Sequence, residues 1–168
     1  MRSGAVRAGV AVALVVALAL AWRWYRSDER RIGNELEALL AAVEKTGAET
    51  QLDRLGHARS FAKRFAESFV VTAKPYEGTI TDRQQLMALV DGYREMSTSV
   101  RARAVDRDLT VRSNGTADLY AVIELDGAYG SGPGRERFRA RFSWVEEGRD
   151  WRIAEAEILE RLEASGLF

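Results

Sequence analysis

Two carboxylates, Glu155 and Glu157, stand two residues apart in "DWRIAEAEIL". On a strand this spacing puts both on one face. A sheltered pair of acids can hold one proton between them, with a raised apparent pKa. Such a pair suits proton transfer on a small substrate. Strict alternation after Trp151 and Ile153 would turn both carboxylates inward. A β-bulge near Ala154 would instead turn Ala156 and Ile158 inward and return the acids to water. Burying an unpaired charge is costly, which favours the bulge. His57, the single histidine, is the third catalytic candidate. It falls on the flank of a helix, one turn before Phe61, where a half-exposed position is expected unless a partner and a pocket make it a base. With one histidine and no cysteine, histidine-rich and thiolate metal sites are excluded, and so are disulfides, thiol nucleophiles and a lipid-modified cysteine. No metal and no cofactor is assigned. Phosphate-binding glycine loops, a Gly-x-Ser-x-Gly elbow and a dinucleotide fingerprint are absent from the sequence.

Two further groups could bind without reacting. Arg137, Arg139 and Arg141 alternate along "ERFRARFSW" and form a basic row on an outer face. A neighbouring strand presenting Asp118, Tyr120 and Glu124 would neutralise much of it by cross-strand pairing. If that face is a dimer interface, Tyr120 and Val122 supply its apolar contacts. Phe65, Phe69, Tyr93, Trp144 and Trp151 could line a ligand pocket between helices and sheet, although aromatic residues so placed also serve simply as core.

The elements that must position these residues fall in two parts. Residues 1–26 hold four arginines and no acid, so the remainder carries a net charge of −4. A mildly acidic domain lacks the concentrated positive charge that phosphate backbones require, so no nucleic-acid partner is expected. Between Arg7 and Arg23 lie fifteen uncharged residues, "AGVAVALVVALALAW". As a helix they reach roughly 22 Å against about 30 Å of hydrocarbon. Snorkelling arginines extend that reach, and Trp22, Arg23, Trp24 and Tyr25 match an interfacial belt. The expectation is a retained transmembrane helix, with membrane contact over residues 8–25. The alternative is a signal peptide cleaved after Ala19-Leu20-Ala21. Positive-charge counting favours a cytoplasmic domain, whereas the order of basic tail, apolar core and small residues favours export. The export reading places the chain in the inner membrane with its domain periplasmic.

Downstream, "SDERRIGNELEALLAAVEKTG" spaces Ile32, Leu36, Leu39, Leu40 and Val43 for a helix, with Ser27 or Asp28 as cap and Gly47 as stop. A second helix is predicted from about Thr50 to Phe69, burying Leu52, Leu55, Ala58, Ala62, Phe65, Ala66 and Phe69. A Pro75–Gly78 turn then joins two short extended pieces. Thr81 and Gln84 have capping-box spacing for a third helix, which buries Leu86, Leu89, Val90 and Tyr93. From Ser99 the period becomes two, with strands at "VRARAVD", "DLTV", "TADLYAVIEL", "ERFRARFSW" and "DWRIAEAEIL". A three-residue Ser-Asn-Gly loop with left-handed Gly115 pairs Val111 with Ala117 and Leu109 with Leu119. Pairing Val145 with Asp150 at the last hairpin sets Trp144 beside or opposite Trp151 and Phe142 near Ile153. "DGAYGSGPG" reads as a flexible loop.

Helices followed by a long meander imply an α+β fold, with an N-terminal transmembrane helix and then helices packed on a curved antiparallel sheet. This order, with the closing "FSWVEEGRDWRIAEAEI", resembles the cone-like fold of the nuclear transport factor 2-like (SnoaL-like, cystatin-type) superfamily over roughly residues 30–162. The expected division is an anchor over 1–26, the α+β domain over 27–163 and a tail over 164–168. The resemblance implies isomerases, dehydratases and non-catalytic assembly modules, some of them single-pass membrane proteins of bacteria. The reading carried forward is a membrane-tethered, non-catalytic binding or assembly domain of a bacterial envelope, partnered by a homodimer mate or an envelope protein. Its alternatives are an isomerase, dehydratase or hydrolase using Glu155, Glu157 and His57, or a binder of an apolar ligand.

Overall fold

The computed structural model describes residues 14–16, 20, 22, 27–74, 76–129 and 132–165. Most of segment 8–25, including Arg23, Trp24 and Tyr25, lies outside the described residues, whereas Trp22 is helical and exposed. Among the described residues, no helix is long and apolar enough to cross a membrane.

Helix α1 spans Asp28–Val43; Ser27 Oγ accepts from the Arg30 amide, and Asp28 and Glu29 complement the positive helix end. It stops at Val43, short of Gly47, because Lys45 leaves to exchange backbone hydrogen bonds with Val100. Helix α2, Gln51–Ala62, opens with a capping box between Thr50 and Asp53. Leu52 is exposed on it, and its apolar stripe is shorter than predicted.

The predicted second helix ends early, and Phe65–Ala73 is strand β1. Arg83 explains the stop. Its guanidinium donates to the carbonyl oxygens of Ala62, Phe65 and Ala66, which satisfies the helix end and the turn beyond it. The spacing of Phe65 and Phe69 imitated a helix because β1 slips register between Phe65 and Val70, so that both rings face the core. Strand β2, Tyr76–Ile80, pairs with β1 as an antiparallel hairpin. Helix α3, Arg83–Met96, is capped by Asp82 in place of Thr81; its carboxylate accepts from the amides of Gln84 and Gln85 at 2.8 and 2.9 Å.

Strands β3 (Ser97–Arg112), β4 (Thr116–Tyr129), β5 (Gly132–Glu147) and β6 (Asp150–Ser165) complete a six-stranded sheet ordered β2-β1-β6-β5-β4-β3. The sheet is curved and mixed, because β1 runs parallel to β6, and so departs from the antiparallel expectation. The two segments read as "VRARAVD" and "DLTV" are one strand. A bulge at Asp106, φ +49°, shifts the phase so that Ala104 pairs with Ile123 and Leu109 with Leu119. Val111 pairs with Ala117 and Gly115 has φ +74°, as the three-residue loop requires. "DGAYGSGPG" is not a loop throughout. β4 runs to Tyr129 and β5 restarts at Gly132, directly opposite. The last hairpin turns more tightly than predicted: Glu147 pairs with Asp150, and Trp144 faces Ile153. β6 continues through Ser165, into the expected tail.

The helices cover the inner face of the sheet. Ile32, Leu36, Leu86, Trp144, Trp151 and Ile153 form the most deeply buried part of the core.

Candidate functional site

The helical cover thins along the strands. On β4, Ala117, Leu119 and Ala121 are buried, Ile123 less completely, and Leu125 only partly. On β5 the same gradient runs from Trp144 through Phe142 and Ala140 to half-buried Phe138. On β6 it runs from Trp151 and Ile153 to half-buried Ile158. One end of the inner face is therefore closed and the other, its mouth, is half-exposed.

Four polar side chains gather at that mouth. Tyr93, in the last turn of α3, and Tyr129, at the end of β4, share a hydrogen bond of 2.6 Å between their hydroxyls. Their rings meet edge to face at 6.1 Å. Glu136 on β5 lies opposite Leu125 and accepts from Arg161 on β6 at 2.7 Å, with only 12% of its side chain exposed. Arg161 reaches the inner face because β6 slips register at two places, opposite Arg139/Ala140 and Arg137/Phe138. Gly127 makes room for Tyr129. A Cβ there would lie 2.8 Å from the Tyr129 hydroxyl oxygen and 3.0 Å from the Ser99 carbonyl.

The electrostatics keep both phenols protonated. Burial pushes the Tyr93 phenol up, helped by the hydrogen bond with Tyr129 and by the negative charges of an ionised Tyr129 and of Glu136. Burial also raises Tyr129, as do Glu136 and Asp126, against the lowering effect of the Tyr93 hydrogen bond. One hydroxyl of the pair donates to the other, and the second proton is free for an acceptor oxygen. Glu136 and Arg161 cancel in charge. The cluster is thus neutral overall and rich in donors.

The predicted catalytic residues are elsewhere. Trp144 pairs with Ile153 and Ser143 with Glu155, which leaves Ala154 as the bulge residue. Ala156 is buried inside, and Glu155 and Glu157 point outward, both against Arg141, at 2.9 and 3.4 Å. Glu157 also meets Lys74 at 3.0 Å. The inward pair of acids does not form. His57 is half-exposed on α2, with Nε2 3.9 Å from Glu49. The basic row does face out and is paired: Arg137 with Glu124 at 3.0 Å, Arg139 with Glu160 at 2.9 Å and Arg141 with Glu155. Of the five aromatic candidates, Phe65, Phe69, Trp144 and Trp151 are core, with the Phe65 and Phe69 rings 5.1 Å apart. Tyr93 alone reaches the mouth.

Strict alternation back from Phe138 places Glu136 on the inner face, so the sequence held that clue. Tyr129 was hidden in a glycine-rich stretch, and Arg161 by bulges that periodicity does not reveal. A shallow cleft of about 130 Å³ lies at the closed end, lined by Arg31, Asn34, Glu35, Arg149, Asp150 and Trp151. Its carboxylates are already held: Glu35 by Arg64 at 2.5 Å and Asp150 by Arg152 at 2.8 Å. Among the described residues, no group of three or more acid or histidine side chains is arranged to hold a metal ion.

No protein-family model matches the sequence, and no curated protein is significantly similar to it. Solved structures are similar in fold. A scytalone-dehydratase-like protein of Novosphingobium aromaticivorans superposes with a TM-score of 0.70 at 13% identity, covering 84% of this chain and 88% of its own. An NTF2-like protein with a cystatin-like fold from the same organism gives 0.65 at 16% identity, covering 85% and 88%. A hexachlorocyclohexane dehydrochlorinase gives 0.64 at 12% identity, covering 83% and 88%. The chain shares the α+β fold of these three proteins, which the second of them carries as a cystatin-like fold.

Proposed function

We propose that this domain binds a small, uncharged, largely apolar molecule carrying an acceptor oxygen, at the open end of its concave face. The observation that carries this reading is the pair of protonated phenols, Tyr93 and Tyr129, at the place where the core's apolar lining becomes half-exposed. A neutral donor pair in a sheltered apolar setting suits a carbonyl, phenol or alcohol. The net neutrality of Glu136 with Arg161 gives a charged ligand no counter-ion there. The role is binding without catalysis. The cluster's one carboxylate is held by Arg161 at 2.7 Å, and its phenols are pushed toward the protonated form, so neither phenol serves as a base.

Residues 8–25 hold the domain at a bacterial inner membrane, with the domain in the periplasm. Support comes from the uncharged run between Arg7 and Arg23 and from the tryptophans and tyrosine that follow. A homodimer mate or envelope protein would meet the outer face around the exposed Tyr120. Proteolysis of spheroplasts tests the orientation: the domain should be cut without lysis, and protection until lysis contradicts it.

A second reading is a lyase or isomerase. It is favoured by the placement of Glu136 beside two hydrogen-bond donors, in a fold shared with a dehydratase-like protein and a dehydrochlorinase. Calorimetric titration with 2-naphthol and acetophenone separates the readings. Binding of unaltered probe, weakened about tenfold by Tyr93→Phe through loss of roughly one hydrogen bond, is the expected result. Equal binding by wild type and variant rejects the site. Glu136-dependent conversion of a bound ketone or alcohol moves the assignment to an enzyme.

A further inference from the structure

The C-terminal ends of α1 and α3 exchange cations. Arg94, fully buried in the last turn of α3, donates from one guanidinium nitrogen to the carbonyl oxygens of Ala42 and Glu44, at 2.7 Å each. Lys45, just past α1, donates from Nζ to the carbonyl oxygens of Arg94 and Ser97, at 2.6 Å each. Each helix end, where carbonyls lack partners and the dipole is negative, is thus capped by a cation from the other. Glu49 supplies the counter-ion. Its carboxylate accepts from Arg94 Nε at 3.3 Å and from a second guanidinium nitrogen. Ser97 Oγ closes the α3 end by donating to the Tyr93 carbonyl at 2.6 Å.

We propose that Arg94, with Glu49 and Lys45, is the positioning device of the ligand site, fixing the last turn of α3 so that the Tyr93 hydroxyl meets Tyr129. An apolar side chain could fill the Arg94 position without desolvating a charge, so packing alone gives no reason for an arginine. A planar fork that must satisfy two carbonyls and a carboxylate together accepts one geometry. That geometry is imposed on the residue next to Tyr93, whose hydroxyl contact is lost with a displacement of less than an ångström. The hydrogen bonds of Arg94 and Lys45 go to Glu49 and to backbone carbonyls, including that of Ser97, which pairs with Tyr129, so both act through the backbone at the end of α3 and the start of β3.

The proposal rests on reading Tyr93 and Tyr129 as the binding pair, but its test needs no ligand and so can fail separately. The ring-carbon NMR resonances of Tyr93 and Tyr129 are compared at neutral pH in the folded full chain, for wild type, Arg94→Met, Lys45→Met and the core variant Leu36→Ala. Arg94→Met and Lys45→Met are each expected to shift both resonances together, as loss of the 2.6 Å hydroxyl contact requires, while Leu36→Ala leaves both in place despite lost stability. If Arg94→Met does not fold, Lys45→Met, which keeps the Arg94–Glu49 pair, decides alone. Unmoved resonances in the folded variants, or an equal shift in Leu36→Ala, overturn the proposal.

Discussion

Replacing Gly127 with alanine puts a methyl group where the Tyr129 ring now lies. The new Cβ would stand 2.8 Å from the hydroxyl oxygen, 2.9 Å from Cζ and 3.0 Å from the Ser99 carbonyl oxygen. The Ser99 contact is backbone of the paired strand β3 and gives little, so relief must come from the tyrosine ring swinging away. That swing breaks the 2.6 Å bond to Tyr93. The lost hydrogen bond is worth about 1 kcal/mol and the overpacking about 1–3 kcal/mol. A total near 2–4 kcal/mol lowers Tm by roughly 4–16 °C in a chain of this size. Chemical denaturation measures the first number and tyrosine titration the structural cause, because Tyr93 loses one of the partners that hold its proton. A variant within about 0.5 kcal/mol of wild type, with unchanged tyrosine titration, would refute the packing argument for Gly127.

The raised phenols make stability fall at alkaline pH. Below about 10 both folded and unfolded tyrosines are protonated and the contribution is complete; above it the unfolded chain loses protons that the native state keeps, at up to about 1.4 kcal/mol per pH unit for each phenol. Denaturation curves for Tyr93→Phe should show a shallower slope, and an identical slope would argue against the burial of that phenol. Glu155→Gln should change stability by less than about 1 kcal/mol and leave ligand affinity intact, since its carboxylate is an exposed partner of Arg141; a large loss of affinity by calorimetry would return it to the site. Trp144→Ala, at 0% exposure in the closed end, should cost about 3–5 kcal/mol by urea denaturation, and a loss below 1 kcal/mol would mean the core is packed otherwise.

What could be read from the residues depended on whether a pattern was local. The Val111–Ala117 register followed from loop length and one left-handed glycine, both short-range properties. The bulge at Ala154 followed from the penalty of burying two acids. Strand β1 did not follow, because Phe65 and Phe69 imitate a helical stripe and the residue that ends α2 early, Arg83, is distant in sequence. The mouth was legible in part. Tyr93 is marked by its helical spacing and Glu136 by alternation from Phe138, but the phase of Arg161 is set by two bulges with no sequence marker. Tyr129 is structured because β5 pairs with β4 through the glycines, an effect of the partner strand that a glycine-rich run does not announce.

NMR of the tyrosine ring carbons during titration with 2-naphthol probes the binding site at the mouth without intermediaries. Of the five tyrosines, two are expected to show resonances, assigned with Tyr93→Phe and Tyr129→Phe, that shift together and saturate while that of Tyr120 stays still. Shifts confined to Tyr120, or no saturable shift of the Tyr93 and Tyr129 resonances, would contradict a binding site at the mouth of the cone.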